Sequence, residues 1–168
     1  GLTPSAHPTI TPQTQNHESL ITTLNQLRRH HMNDKDYAHL HFSSMQVSLN
    51  WPTPLHVDAH NQGPSVAWAG GEFTTGGQLW VSHPTGTDRQ TIPKEGIKGV
   101  LGYEPGQVIR GCSLPINKEM HLFHGGLLHR TAPWDTHIPE EADKKDRFCV
   151  IWFNVPNADK ISPQAHEQ

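Results

Sequence analysis

The first residues along the chain whose types and spacing carry chemistry are His56-Val57-Asp58. On a strand, positions i and i+2 face the same way, so an imidazole and a carboxylate converge while Val57 points away. One nitrogen and one oxygen donor suit a borderline divalent metal. A histidine from elsewhere would complete a 2-His-1-carboxylate face with coordination positions left open. The stretch His121-Leu122-Phe123-His124-Gly125-Gly126-Leu127-Leu128-His129-Arg130-Thr131-Ala132-Pro133-Trp134 supplies a candidate, reading as a strand, a Gly-Gly turn and then His129. Farther on, Arg147 opens the apolar run Arg147-Phe148-Cys149-Val150-Ile151-Trp152-Phe153. A guanidinium binds a carboxylate through two parallel hydrogen bonds, so Arg147 is a candidate anchor for a dicarboxylate beside such a metal. The chain holds 14 histidines, so position rather than abundance selects the ligands. His56, Asp58 and His129 are selected; His60, His121 and His124 are read as structural, pocket-lining or solvent-facing.

These residues need a scaffold, and 168 residues are enough for one domain with a two-layer core. Residues 1–16 are rich in Thr, Pro, Ser and Gln and are expected to be a flexible lead-in. Residues 17–158 then form the single domain, and 159–168 a flexible tail. Leu20, Ile21, Leu24 and Leu27 follow helical spacing, so one amphipathic N-terminal helix is expected over about 18–31, with Arg28 and Arg29 in its last turn. After it the period becomes two. Leu40 and Phe42 alternate, then Met45, Val47 and Leu49 with the register shifted by one, which places a bulge or break near Ser43-Ser44. Further strands are expected at 54–59, 65–69, 78–82, 98–103, 107–113, 119–123 and 147–154, with Gly- and Pro-rich turns between them. One leading helix and many short strands make a mainly β fold, closed or sandwich-like. Trp51, Trp68, Trp80 and Trp152 are expected in the core, with Trp68 or Trp134 able to stack on a planar substrate. The polar stretch 133–147 reads as a flexible insertion, and Glu140, Glu141 or Asp143 is a competing partner for Arg147.

Charge narrows the partners. Lys+Arg 13 against Asp+Glu 16 leaves a formal charge of -3, so no broad basic field exists to grip duplex nucleic acid. Arg28, Arg29, Lys94 and Lys98 amount to a modest patch at most. Two cysteines, Cys112 and Cys149, are too few for a disulfide framework; both are expected as buried thiols in a reducing, intracellular setting, cytoplasmic or nuclear. No apolar run has the length of a membrane span. A monomer is expected.

Taken together, His56-Val57-Asp58-Ala59-His60-Asn61-Gln62-Gly63-Pro64-Ser65, Gly76-Gly77-Gln78-Leu79-Trp80, Gly125 to Thr131 and Arg147-Phe148-Cys149 resemble the 2-oxoglutarate- and Fe(II)-dependent dioxygenase superfamily in order and spacing. The resemblance covers roughly residues 40–154. It implies a double-stranded β-helix (jelly-roll) core, with Fe(II) held by His56, Asp58 and His129 and the far carboxylate of 2-oxoglutarate held by Arg147. O2 would be the oxidant and ascorbate a candidate reductant. Cys149 stands where members often place a serine, two residues after that arginine. Asn61 and Ser65 are candidates to hydrogen-bond the co-substrate or orient the ligand segment; equally, Asn61-Gln62-Gly63-Pro64 reads as turn chemistry. Arg147 follows His129 at a longer interval than is usual in the family, and the charged stretch 135–146 accounts for the excess.

The resemblance is compatible with hydroxylation of a protein side chain, a nucleobase or a small molecule. Two other classes stand beside it. A cupin-type or other-reductant iron enzyme would keep the histidines without needing Arg147, and a non-catalytic barrel module would need neither Asp58 nor metal.

Overall fold

The computed structural model describes residues 11–32, 40–73, 75–135 and 146–160. Two helical segments come first. Thr11 caps the short α1 (Pro12–Asn16) by accepting from the Thr14 amide at 3.4 Å, and Pro12 sits where a missing N–H costs nothing. Helix α2 (Glu18–His31) follows, with Glu18 in its first turn and Arg28, Arg29, His30 and His31 in its last, each sign complementing the helix dipole. The helix expected at 18–31 is therefore present, but it is not the only one, because residues 12–16 of the expected lead-in are also helical. Residues 1–10 and 161–168 lie outside the described residues.

The rest is mainly β. One antiparallel sheet has the order β1 (Ser44–Leu49), β10 (Arg147–Asn154), β2 (Gln62–Gly71), β7 (His121–His124). A second has the order β5 (Asp88–Thr91), β6 (Val108–Leu114), β4 (Leu79–Ser82), β8 (His129–Thr131). A two-residue ladder joins β3 (Thr75–Gly76) to β9 (Trp134–Asp135), and a 3-10 turn at Ala158–Lys160 follows β10. Residues 53–58 form no named strand. They lie along β8 through the reciprocal bridge His56–His129 and the Thr131 amide bonded to Thr53 O at 3.1 Å.

Alternation along the strands assigns the layers. On β2, Ala67 and Ala69 face inward to meet Leu79 and Val81 of β4, Phe123 of β7 and Cys149 of β10. The intervening Val66 and Trp68 face outward, where Leu24 of α2 covers them together with Val150 and Trp152. The Trp152 indole N–H donates to Asn25 Oδ1 at 3.2 Å, pinning helix to sheet. Trp80, Ile92, Ile97 and Leu128 form a third cluster on the outer face of the second sheet. Among the described residues no helix is long and apolar enough to cross a membrane.

Several expectations are corrected. Residues 98–103 are not a strand: Gly96, Gly99 and Gly102 all have positive φ (72°, 74° and 88°), which breaks the extended chain into turns. Leu40 and Phe42 precede β1 rather than extending it, so the register shift near Ser43-Ser44 is a strand start. The stretch 54–59 carries one isolated bridge, not a ladder. Trp51 is 61% exposed, whereas Trp68, Trp80 and Trp152 are buried as expected. Strand β5 was not foreseen; Asp88-Arg89-Gln90-Thr91 has no apolar alternation to announce it. Within the polar stretch 133–147, Trp134–Asp135 form β9 and Arg147 opens β10, while 136–145, with Glu140, Glu141 and Asp143, lie outside the described residues.

Candidate metal centre

Segment 53–58 and strand β8 bring the ligand candidates together. The His56 amide donates to His129 O at 3.0 Å, and the His129 amide donates back to His56 O at 2.9 Å. The two imidazoles therefore share one rung, with ring centroids 4.2 Å apart. Asp58 is tied down separately, its amide donating to Gly125 O at 2.8 Å at the Gly-Gly turn after β7. A Cβ added at Gly125 would lie 3.2 Å from Asp58 Oδ2 and 3.0 Å from Asn61 Nδ2, so this turn approaches the carboxylate more closely than a side chain would comfortably allow.

The outer hydrogen bonds orient both histidines. His56 Nδ1 lies 2.8 Å from Pro54 O, and His129 Nδ1 lies 2.7 Å from Leu127 O. A carbonyl only accepts, so both Nδ1 atoms carry hydrogen and the metal-binding lone pair is left to Nε2. Those two Nε2 atoms face the same carboxylate, His56 at 3.4 Å from Oδ1 and His129 at 3.6 Å from Oδ2. The ligand atoms of all three residues lie within 4.8 Å of one another. Cis donors about 2.1 Å from an ion sit about 3 Å apart, so a small inward movement seats a divalent cation. The donor set fits a metal.

Electrostatics agree with that arrangement. Burial alone would raise the Asp58 pKa, but hydrogen bonds from His129 and His56, and their charges, hold it well below the usual carboxylate range. Burial alone would lower the His56 pKa, but it is outweighed by the Asp58 hydrogen bond, the Pro54 carbonyl and the Asp58 charge, and the net shift is upward. Without metal, then, an ionised carboxylate is held against two imidazoles. A cation bound there would replace the proton they would otherwise share.

Asn61 donates from Nδ2 to Asp58 Oδ2 at 2.9 Å and lines the cavity. Removing such an outer partner typically weakens metal binding about 10–100-fold, and Asn61→Ala is expected to do so in a competition titration against a colorimetric chelator. Ser65 is fully buried, and its Oγ has no hydrogen-bond partner among the described residues. His124 is exposed and accepts from the Gly126 amide, while His121 pairs with Glu119 at 3.3 Å. Neither joins the cluster, and nor does His60.

The cluster sits in a cavity of about 80 Å³ whose walls include Leu79, Ile116, Phe123, Cys149 and Ile151. Arg147 stands one step beyond Cys149 on the same face of β10 and is 1% exposed. Its guanidinium lies over the rings of Trp134 (5.1 Å) and Phe73 (5.5 Å), and Nη2 donates to Gly77 O at 2.8 Å. Nε has no partner. Among the described residues no carboxylate forms an ion pair with it. Burial lowers the Arg147 pKa and raises that of the Cys149 thiol, each shift opposed by the interaction between the two side chains.

Glycine 77 makes room for this group. Its φ is +71°, and a Cβ there would lie 2.8 Å from both Arg147 Nε and a Phe73 ring carbon. Gly77→Ala is expected to displace the guanidinium and to cost about 1–3 kcal/mol of stability in urea unfolding. Sequence reading treated Gly77 as part of a turn motif; its contact with a residue 70 positions away is visible only in the fold.

No known family model matches the chain, and a search of curated proteins gives no match. The functional reading rests on the geometry above and on the sequence motifs.

Proposed function

We propose that this chain is a non-haem Fe(II) oxygenase that uses 2-oxoglutarate, built on a double-stranded β-helix. The carrying observation is that His56, Asp58 and His129 converge with both Nε2 atoms turned to one carboxylate, in a cavity lined by Cys149, two residues from a buried arginine that has no carboxylate partner among the described residues. Topology supports the fold reading. Counting segment 53–58 as the second strand and setting β3, β5 and β9 aside, the first sheet runs first, eighth, third, sixth and the second runs second, seventh, fourth, fifth. That alternation of a chain between two four-stranded sheets is the order of a jelly roll.

The placement of the two polar centres supports a two-ended ligand. His129 pairs with Val81, and Arg147 is bonded to Gly77, four residues earlier on the same chain segment. A molecule that met both centres would carry a chelating group at one end and a carboxylate at the other, as 2-oxoglutarate does. Iron, when bound, supplies the means to activate O2 for insertion into a C–H bond. The chain holds the cation on one face, fixes the imidazole tautomers through Pro54 and Leu127, and keeps Asp58 ionised. It also shields the Arg147 charge between aromatic rings, where a carboxylate partner is gripped most strongly.

Anaerobic addition of Fe(II) and then 2-oxoglutarate to metal-free protein tests this. The expected result is a weak visible charge-transfer band as the keto acid chelates the iron, absent in His129→Ala. Iron binding without the band would favour a cupin-type or other-reductant enzyme, and failure to bind iron would favour a non-catalytic module.

A further inference from the structure

Resting on the oxygenase reading, we propose that the substrate is a phosphate monoester whose phosphoryl group is held between Arg89 and Arg110, on the sheet face that carries the metal ligand His129.

Strand register places the three residues on one face. His129 pairs with Val81 across β8 and β4, and Val81 pairs with Cys112 across β4 and β6, so these side chains share a rung. Arg110 stands two residues from Cys112 along β6 and therefore on the same face, where it pairs directly with Arg89 of β5. Ile109 marks the opposite face, since it packs against the outer cluster of Trp80 and Ile92. Asp88, next to Arg89 in the chain, alternates to that outer face as well.

The pairing does nothing for the sheet itself, because like charges directly opposite on antiparallel strands repel. Both arginines are exposed. Among the described residues no carboxylate forms an ion pair with either, and the arginine side chains that donate hydrogen bonds are those of Arg130 and Arg147. Nor is the pair a by-product of a basic surface, for the chain carries a formal charge of -3.

Two opposed guanidiniums suit one dianion. Each offers a planar fork that matches phosphate oxygens. A phosphate monoester carries about -1.5 to -2 at neutral pH, enough to cancel the repulsion between them, whereas a carboxylate or a phosphodiester carries a single charge. The net negative charge of the chain also favours one small ester over a long nucleic-acid strand. Strands β8 and β6 are two spacings apart, about 10 Å, a span that a molecule of sugar-phosphate or nucleotide size bridges.

The test uses the full chain, first without metal so that no ion competes for the probe. Methyl phosphate should shift the arginine Nε–H resonances of Arg89 and Arg110, and dimethyl phosphate should bind about tenfold more weakly or worse. Arg89→Gln and Arg110→Gln should each weaken methyl phosphate about tenfold, and both should fold because the side chains are exposed. Lys118→Gln, which removes the same charge beside Ala69, should leave binding unchanged. Unshifted Arg89 and Arg110 signals, equal affinity for the diester, or wild-type affinity in the glutamine variants overturns the clamp. Succinate release is then followed with Fe(II), 2-oxoglutarate and O2 over a panel of sugar phosphates, nucleoside 5′-monophosphates, their dephosphorylated counterparts and oligonucleotides without terminal phosphate. A phosphate ester should raise release where its dephosphorylated counterpart does not, and Arg110→Gln should reduce the effect. Release raised equally by dephosphorylated compounds, by oligonucleotides alone, or by no phosphate ester overturns the substrate assignment. Methyl phosphate held at the arginine pair of a protein that binds no Fe(II) keeps the clamp and sinks the oxygenase reading instead.

Discussion

Asp58→Ala is expected to lower Fe(II) affinity by more than about 100-fold, because it removes the one anionic donor, and even outer-shell losses reach that range. The readout is Fe(II) titration in competition with a chelator. The fold should survive, for three reasons visible in the structure. Asp58 lies in no strand, its backbone amide remains bonded to Gly125 O, and its side chain is 29% exposed. Unchanged circular dichroism alongside lost iron would separate ligation from scaffolding. His129→Ala is a poorer test, since that ring is buried and packs 5.2 Å from Phe123, so its removal also opens a cavity. Unaltered iron affinity in Asp58→Ala would remove the metal centre from consideration.

The second large effect is expected at Arg147. Truncating one partner of a buried, hydrogen-bonded charge pair costs about 2–5 kcal/mol, so the KM for 2-oxoglutarate should rise roughly 30- to several-thousand-fold. Alanine would also leave a void between Phe73 and Trp134. Arg147→Met is the sharper variant, because it fills much of that space with an uncharged chain. With methionine, iron affinity should stay at the wild-type level while the KM rises. A wild-type KM in Arg147→Met would assign Arg147 a structural role and return the site to an enzyme that needs no keto acid.

Much of the site was legible before any fold was known, and the reason is local. His56 and Asp58 are two residues apart, and His129 follows a Gly-Gly turn, so short-range spacing carries most of the geometry. Even so, the reasoning about His56 and Asp58 assumed a strand, and they converge instead because the His129 bridge and the Gly125 carbonyl hold them. What spacing could not reveal depends on distant contacts, such as the Gly77 carbonyl and the Trp134 ring against Arg147. The fold was legible where apolar residues face a conventional core, as in β2, β4 and β10. It misled where they do not. Leu101, 95% exposed, lies in a run that looks like a strand until the positive-φ glycines are placed. In β1 the polar Gln46 and Ser48 line the metal cavity, whereas the apolar Val47 on the opposite face is 45% exposed.

The rung shared by His56 and His129 joins parts of the chain about seventy residues apart, and closing so long a loop carries a substantial entropic cost. Segment 53–58 is otherwise attached to β8 by a single further backbone bond, from Thr131 to Thr53. An ion gripping both imidazoles would thus act as a clasp between segment 53–58 and β8. Stripping it should loosen residues 53–58 first, making them the earliest point of proteolytic nicking while the helix-backed sheet stays shut.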